Sequence, residues 1–337
     1  MGSVSALGYK RLVLLLRPRI AALLWAALVF LQATPSLAFN SSAWTRPKGQ
    51  LWTLLSVGFV SAGDQFDQAS NRRLFNDAVD GQAFQDESFY AQVEYGLIDE
   101  LTLHLELPYK RIFVEQASVN TAIEAPGNLY AGARVNLLKL LPIETRITWS
   151  LELGFSIPTG YTRNLNPSVG PGNVEFDVKT AVGYGFQIIQ GLPAYTQLGM
   201  GIRARSTAYT FSGSADCPSA NEINCQLDNQ PNFSDEFLFL AEFGITPFKG
   251  SVLLFGKTLG NVSLLEPELG FSAANPIPTR QRIVKLGAGT ILYPLRFFDV
   301  PYAKNVGLVA QYYSTVWGQN APATDDIFLG LEYSHAF

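Results

Sequence analysis

Long apolar runs are scarce in this chain of 337 residues. Residues 20–31 form a single run of twelve, short of the ~20 that a spanning helix needs, and nothing after residue 38 comes near that length. Charge is scarce too, at 15% of the chain, against about 25% in a typical soluble domain. Histidine and cysteine occur twice each, and neither histidine lies near a cysteine. No carboxylate spacing matches a calcium loop, so no metal or cofactor is expected. Basic charge is lacking overall, with 24 Lys and Arg against 28 Asp and Glu, which argues against a nucleic-acid partner.

Four of those basic residues, Lys10, Arg11, Arg17 and Arg19, sit in the first 38 positions, which hold no acid. A charged start, the apolar run and Ser36-Leu37-Ala38 read as a secretory signal peptide cut before Phe39. No cysteine stands directly after the cut, so no lipid anchor is expected. The domain plan is then a cleaved signal at 1–38, a short periplasmic segment at 39–49 and one body at 50–337. Removing the signal leaves 20 basic residues against 28 acidic, net −8. The two cysteines of an exported chain, Cys217 and Cys225, stand in a polar, loop-like stretch and are expected to form a local disulfide.

What the body does have is alternation. In 173–186, Val174, Phe176, Val178, Thr180, Val182, Tyr184 and Phe186 hold one parity, while Asn173, Glu175, Asp177, Lys179, Ala181, Gly183 and Gly185 hold the other. A strand separates such classes onto two faces, and a helix would smear them. The pattern recurs about twelve times, from 50–62 to 326–337. Connections after even strands are mostly short, as at 97–100 and 187–193. Those after odd strands are mostly longer and polar, as at 63–87, 212–234 and 318–325. An all-β transmembrane antiparallel barrel of about 12 strands, with both termini periplasmic and no plug domain, has this asymmetry. A soluble barrel or sandwich would show the same alternation with its apolar face inward. Opposite charges and glycines on the polar parity, the alternating loops and the terminal Phe337 favour the membrane form.

The final strand places Ile327, Leu329, Leu331, Tyr333, His335 and Phe337 on one parity. It resembles the closing strand of outer-membrane barrels, in which Tyr333 and Phe337 would be read by the barrel assembly machinery. From about residue 85 onward the chain also resembles the family of outer-membrane barrels linked to meta-pathway phenol degradation. The likeness rests on Gly96-Leu97-Ile98-Asp99-Glu100-Leu101, on Gly127 through Arg134, on Ile157-Pro158-Thr159-Gly160 and on Gly170-Pro171-Gly172-Asn173. It implies passage of small, often hydrophobic or aromatic solutes across the outer membrane, and it transfers no functional residues. Related fatty-acid and aromatic-hydrocarbon channels carry an N-terminal plug, whereas residues 39–49 are too few for a folded hatch.

The polar parity supplies candidate pore-lining residues: His104, Glu106, Lys110, Arg134, Glu152, Glu175, Asp177, Lys179, Arg203, Arg205, Glu242 and Lys285, with Glu94 among them. Charges inside a narrow barrel must be paired or wet. They could form an eyelet that orients a solute, or a lattice of cross-strand ion pairs closing the barrel. Arg203 and Arg205, with Tyr195, could bind an anionic aromatic. Arg72 and Arg73 lie in the first long loop, where a constriction, a lipopolysaccharide contact and a solvated loop are the alternatives. Trp52, Tyr109, Trp149 and Trp317 suit interfacial girdles. Neither His104 nor His335 has a serine on its own face, so no enzyme is expected. The expected product is a monomeric channel in contact with outer-membrane lipid and lipopolysaccharide and open to a small-molecule solute. The alternative is a closed structural or assembly barrel whose surface loops bind a partner.

Overall fold

A computed structural model describes residues 41–74, 84–115, 120–141, 145–159, 169–209, 234–266, 280–298 and 304–336. The signal segment, Cys217, Cys225 and Phe337 lie outside the described residues. The strands are β1 (Gln50–Phe66), β2 (Arg72–Leu74), β3 (Phe84–Ile98), β4 (Leu101–Glu115), β5 (Asn120–Pro126), β6 (Asn128–Asn136), β7 (Ile147–Pro158), β8 (Asn173–Ile189), β9 (Leu192–Tyr209), β10 (Glu236–Ile245), β11 (Val252–Ser263), β12 (Arg282–Leu292), β13 (Val306–Gln319) and β14 (Ala321–Ala336). Neighbours pair antiparallel, and β14 returns to β1 from Gln50↔Ala336 to Phe59↔Ile327, so the sheet closes on itself and leaves no edge.

β5 and β6 are one strand broken at Gly127. Both pair with β4, and the register slips by one between Tyr109↔Pro126 and Glu106↔Tyr130. Pro126, which cannot donate a ladder bond, sits at that break, where a sheet tolerates proline. β2 is a three-residue ribbon on β1. Counting β5 and β6 together and leaving β2 aside, twelve strands close the barrel, the number expected from the alternation.

Burial settles which face is out. On β4, Leu103, Leu105 and Leu107 are 42–45% exposed, whereas His104 and Glu106 between them are 4% and 8% exposed. Phe155, Phe176, Met200, Leu286 and Ile327 continue the exposed apolar belt around the wall. A soluble barrel would bury these side chains. A barrel in lipid presents them.

One connection differs from expectation. Residues 318–325 are strand rather than a longer loop. β13 passes into β14 through Asn320 alone, whose φ of 51° makes the tight reversal. The small and polar residues there hid the strand, yet Ala321–Ala323 pair with β1 and the Thr315 and Thr324 hydroxyls lie 3.0 Å apart.

Candidate functional site

The lumen has two unlike walls. On β3, β4 and β6 to β9 the inward charges form a continuous web. Arg134, 1% exposed, bonds Glu94 at 3.0 Å and Glu152 at 2.8 Å. Lys179 Nζ lies 3.3 Å from both Glu152 and Asp177 and 4.5 Å from the Tyr130 ring centre. Tyr130 Oη donates to Glu152 at 2.6 Å. Arg203 chelates Asp177 with two bonds of 2.9 and 3.0 Å. Arg205 bonds Glu175 at 2.8 Å and lies 3.2 Å from Glu236. His104 packs on Tyr130, its Nδ1 4.0 Å from Glu152. Strand register makes this possible: Arg134↔Glu152↔Lys179 and Asp177↔Arg203↔Glu236 each fall on a row across adjacent strands. Glycines give the large side chains their seats. A Cβ at Gly154 would stand 2.1 Å from Tyr130 Oη.

Every candidate from the polar parity faces inward, but the eyelet reading gives way to the lattice reading. The guanidinium groups of Arg134, Arg203 and Arg205 are engaged by carboxylates and backbone carbonyls. Arg203 and Arg205 do not meet Tyr195, which lies eight and ten residues away along β9, donates to Glu242 at 2.6 Å and faces Trp44 edge-on at 5.5 Å. Arg72 and Arg73 are exposed and pair with Asp64 and Asp67, while residues 75–83 of that loop lie outside the described residues. Trp52 is not in a girdle. It turns inward and donates to Glu332 at 3.3 Å.

The second wall, from β10 through β14 to β1, is mainly apolar. Leu238, Leu240, Leu259, Tyr313 and Phe328 form a buried cluster inside the barrel, with Tyr313 and Phe328 edge to face at 5.2 Å. Its charges come as separate pairs, Lys257 with Glu242 at 3.5 Å and Lys285 with Asp326. Lys110 pairs with Asp86 at 3.1 Å on the β3–β4 side.

Residues 41–48 are not a free tail. They run as a strap inside the barrel end that holds both termini, and Ser41, Ala43 and Thr45 are buried. The Ser41 hydroxyl donates to Glu152 (3.0 Å), the Ala43 amide to Gln197 (3.1 Å) and the Arg46 amide to Thr102 (2.7 Å). Thr148 and Ser150 donate to the Ala43 and Ser42 carbonyls. All of these partners belong to the charged wall. Sequence reasoning missed the strap because its partners lie as far as 154 positions away.

Two cavities stand out among the described residues. One, of 290 Å³, opens toward the end away from the termini and includes Asp86, Glu106, Lys110, Leu259, Ile283 and Asp326 in its lining. The other, of 190 Å³, lies beside the strap and includes Leu54, Tyr90, Glu106, Phe255, Val309 and Phe328. Glu106 lines both.

No protein-family model and no curated protein sequence matches the chain. Solved structures do. An outer membrane channel from Pseudomonas putida F1 superposes with a TM-score of 0.61 at 12% identity, over 88% of this chain and 99% of that one. The NanC porin gives 0.46 at 6% identity, over 83% and 98%. The first likeness is one of fold. This chain folds as an outer-membrane β-barrel. Within that barrel no folded plug domain occurs among the described residues, and the strap takes up the space at one mouth.

Proposed function

We propose that this barrel is an outer-membrane channel through which small solutes, aromatic or apolar ones among them, diffuse passively. The two lumen cavities, both lined by Glu106, carry this reading. The exposed apolar belt supports a place in lipid, and the likeness to a solved outer membrane channel supports the class. No nucleotide-binding loop is visible in the sequence, so the flow follows the gradient. Export would proceed by the Sec route with cleavage after Ala38. The assembly machinery would read Tyr333 and Phe337, and both termini would face the periplasm. Cys217 and Cys225, in the sequence between β9 and β10, would then form a local disulfide. The barrel works as a monomer and is no enzyme.

One observation favours a second reading, a closed structural or assembly barrel: the strap is bonded across the terminal mouth. Planar-bilayer recording of residues 39–337 separates the two. Discrete conductance steps interrupted by a small aromatic solute support the channel, and a folded but silent barrel supports the scaffold.

A further inference from the structure

The two most exposed large apolar side chains among the described residues, Phe298 and Phe248, are 76% and 69% exposed, and no aromatic of the barrel wall exceeds 48%. Both stand on turns at the end that holds the termini, Phe248 between β10 and β11 and Phe298, with Phe297, after β12. The two turns form one patch. The Tyr293 amide donates to the Ser251 carbonyl at 2.8 Å, and Arg296 donates to the Gly250 and Lys304 carbonyls at 2.6 and 2.9 Å. Lys249, Arg296 and Lys304 are exposed there, and none of them meets a carboxylate among the described residues. Asp299, outside the described residues, is the one acid in the sequence of 246–251 and 293–304. The Gly250 amide bonds the Pro247 carbonyl at 3.3 Å, and Phe248 and Lys249 between them both have a φ of 54°. That is the two-residue hairpin turn which Asn-Gly fills without strain. Phe and Lys at those positions cost conformational energy, and with Phe248 so exposed, packing within the barrel does not offset it.

We propose that this patch docks an anionic phospholipid, with Phe248, Phe297 and Phe298 against the upper carbons of its chains and Lys249, Arg296 and Lys304 around its headgroup phosphate. The position of the patch supports this. Phe243 and Leu254 carry the exposed apolar belt to the end of β10 and the start of β11. Phe248 stands three residues beyond Ile245, the last of β10, which is at most about 10 Å at the rise of a strand. A headgroup layer is roughly 5–8 Å deep on each side of the hydrocarbon core, so the tip reaches that layer rather than open water. Aromatic rings beside Lys and Arg are the combination such a layer favours. The inference is independent of conduction. It rests on the place in lipid and on the proposed periplasmic side of the termini, the leaflet there being phospholipid rather than lipopolysaccharide.

Native mass spectrometry of the full barrel in detergent tests it, with dihexanoyl phosphatidylglycerol and dihexanoyl phosphatidylcholine as probes. The phosphatidylglycerol is expected to be held at least about fivefold more tightly, the effect of one cation beside an anionic lipid surface. Lys249→Gln with Lys304→Gln is expected to erase that preference. Phe298→Ser is expected to weaken both lipids alike, severalfold. Phe248→Asn with Lys249→Gly supplies the residues that the turn geometry favours. It should resist unfolding in lipid-free detergent at least as well as wild type, yet lose most of the preference. Arg111→Gln, at the opposite end of the barrel, should leave lipid retention unchanged. Equal retention of the two lipids, a preference that survives the double lysine variant, or a less stable Asn-Gly variant overturns the proposal. Protease access to residues 39–49 in whole cells reads the orientation separately. Termini found outside would give the patch to lipopolysaccharide and overturn the phospholipid assignment.

Discussion

Strands β3, β4 and β6 to β9 line the lumen with a web of carboxylates and cations in which Glu152 alone touches Arg134, Lys179, Tyr130 and Ser41. Strands β10 to β14 and β1 line it with Leu238, Leu240, Val309, Tyr313 and Phe328, broken by isolated ion pairs. The first wall is satisfied from within, and it also captures the strap. The second offers little that a polar strap could bond, so room stays open beside it. Saturated charge makes structure here, and the larger space for a solute lies between the two walls, lined by Lys179, Arg203 and Arg205 on one side and by Leu259 and Ile283 on the other.

The sharpest way to break this comparison is to cut the web at its centre. Glu152→Ala leaves Arg134 and Lys179 buried short of a partner, and about 3–5 kcal/mol of stability should be lost. Urea unfolding in detergent, read by electrophoretic mobility, measures it. A loss under about 1 kcal/mol would mean that the wall is not coupled. The apolar wall should yield less. Leu240→Ala removes a buried side chain clustered with Leu259 and Phe328, which line the cavities, so a cost of about 2 kcal/mol is expected, the low end for such truncations, together with larger conductance steps.

Gly183→Leu sharpens the contrast by acting on the strap. A Cβ there would stand 2.7 Å from the Trp44 ring and 2.8 Å from Ala43 Cβ. Trp44 must leave, at about 1–2 kcal/mol for overpacking, and bilayer conductance should rise. Unchanged conductance would show that the strap does not limit flow. The smallest effect is expected outside the lumen. Arg72 is 58% exposed in its pair with Asp64, and Arg72→Ala should shift stability by less than about 1 kcal/mol.

The barrel itself was legible because its signal is local. Period-2 alternation in 173–186 states which residues face out, and β8 obeys it from Asn173 to Tyr184. The inward charges were legible for the same reason. Their partners were not, since Arg134 meets Glu94 forty positions away only through register across β3, β4 and β6. The apolar wall was hidden by averaging over residue classes. Leu238 and Leu240 share a parity with Glu236 and Glu242, so β10 read as a polar-faced strand, although two leucines on a lumen face were the available signal. The strap carried no signal of its own, being too short to fold and too irregular to alternate.

Single-channel conductance of two single variants tests the central claim most directly. Val309 lines the cavity beside the strap, and His104 sits in the charged wall away from both cavities. If solutes pass along the apolar wall, Val309→Trp cuts the conductance steps severalfold and His104→Gln leaves them near wild type. Steps that survive Val309→Trp but change with His104→Gln would place the route through the charged web and contradict the account.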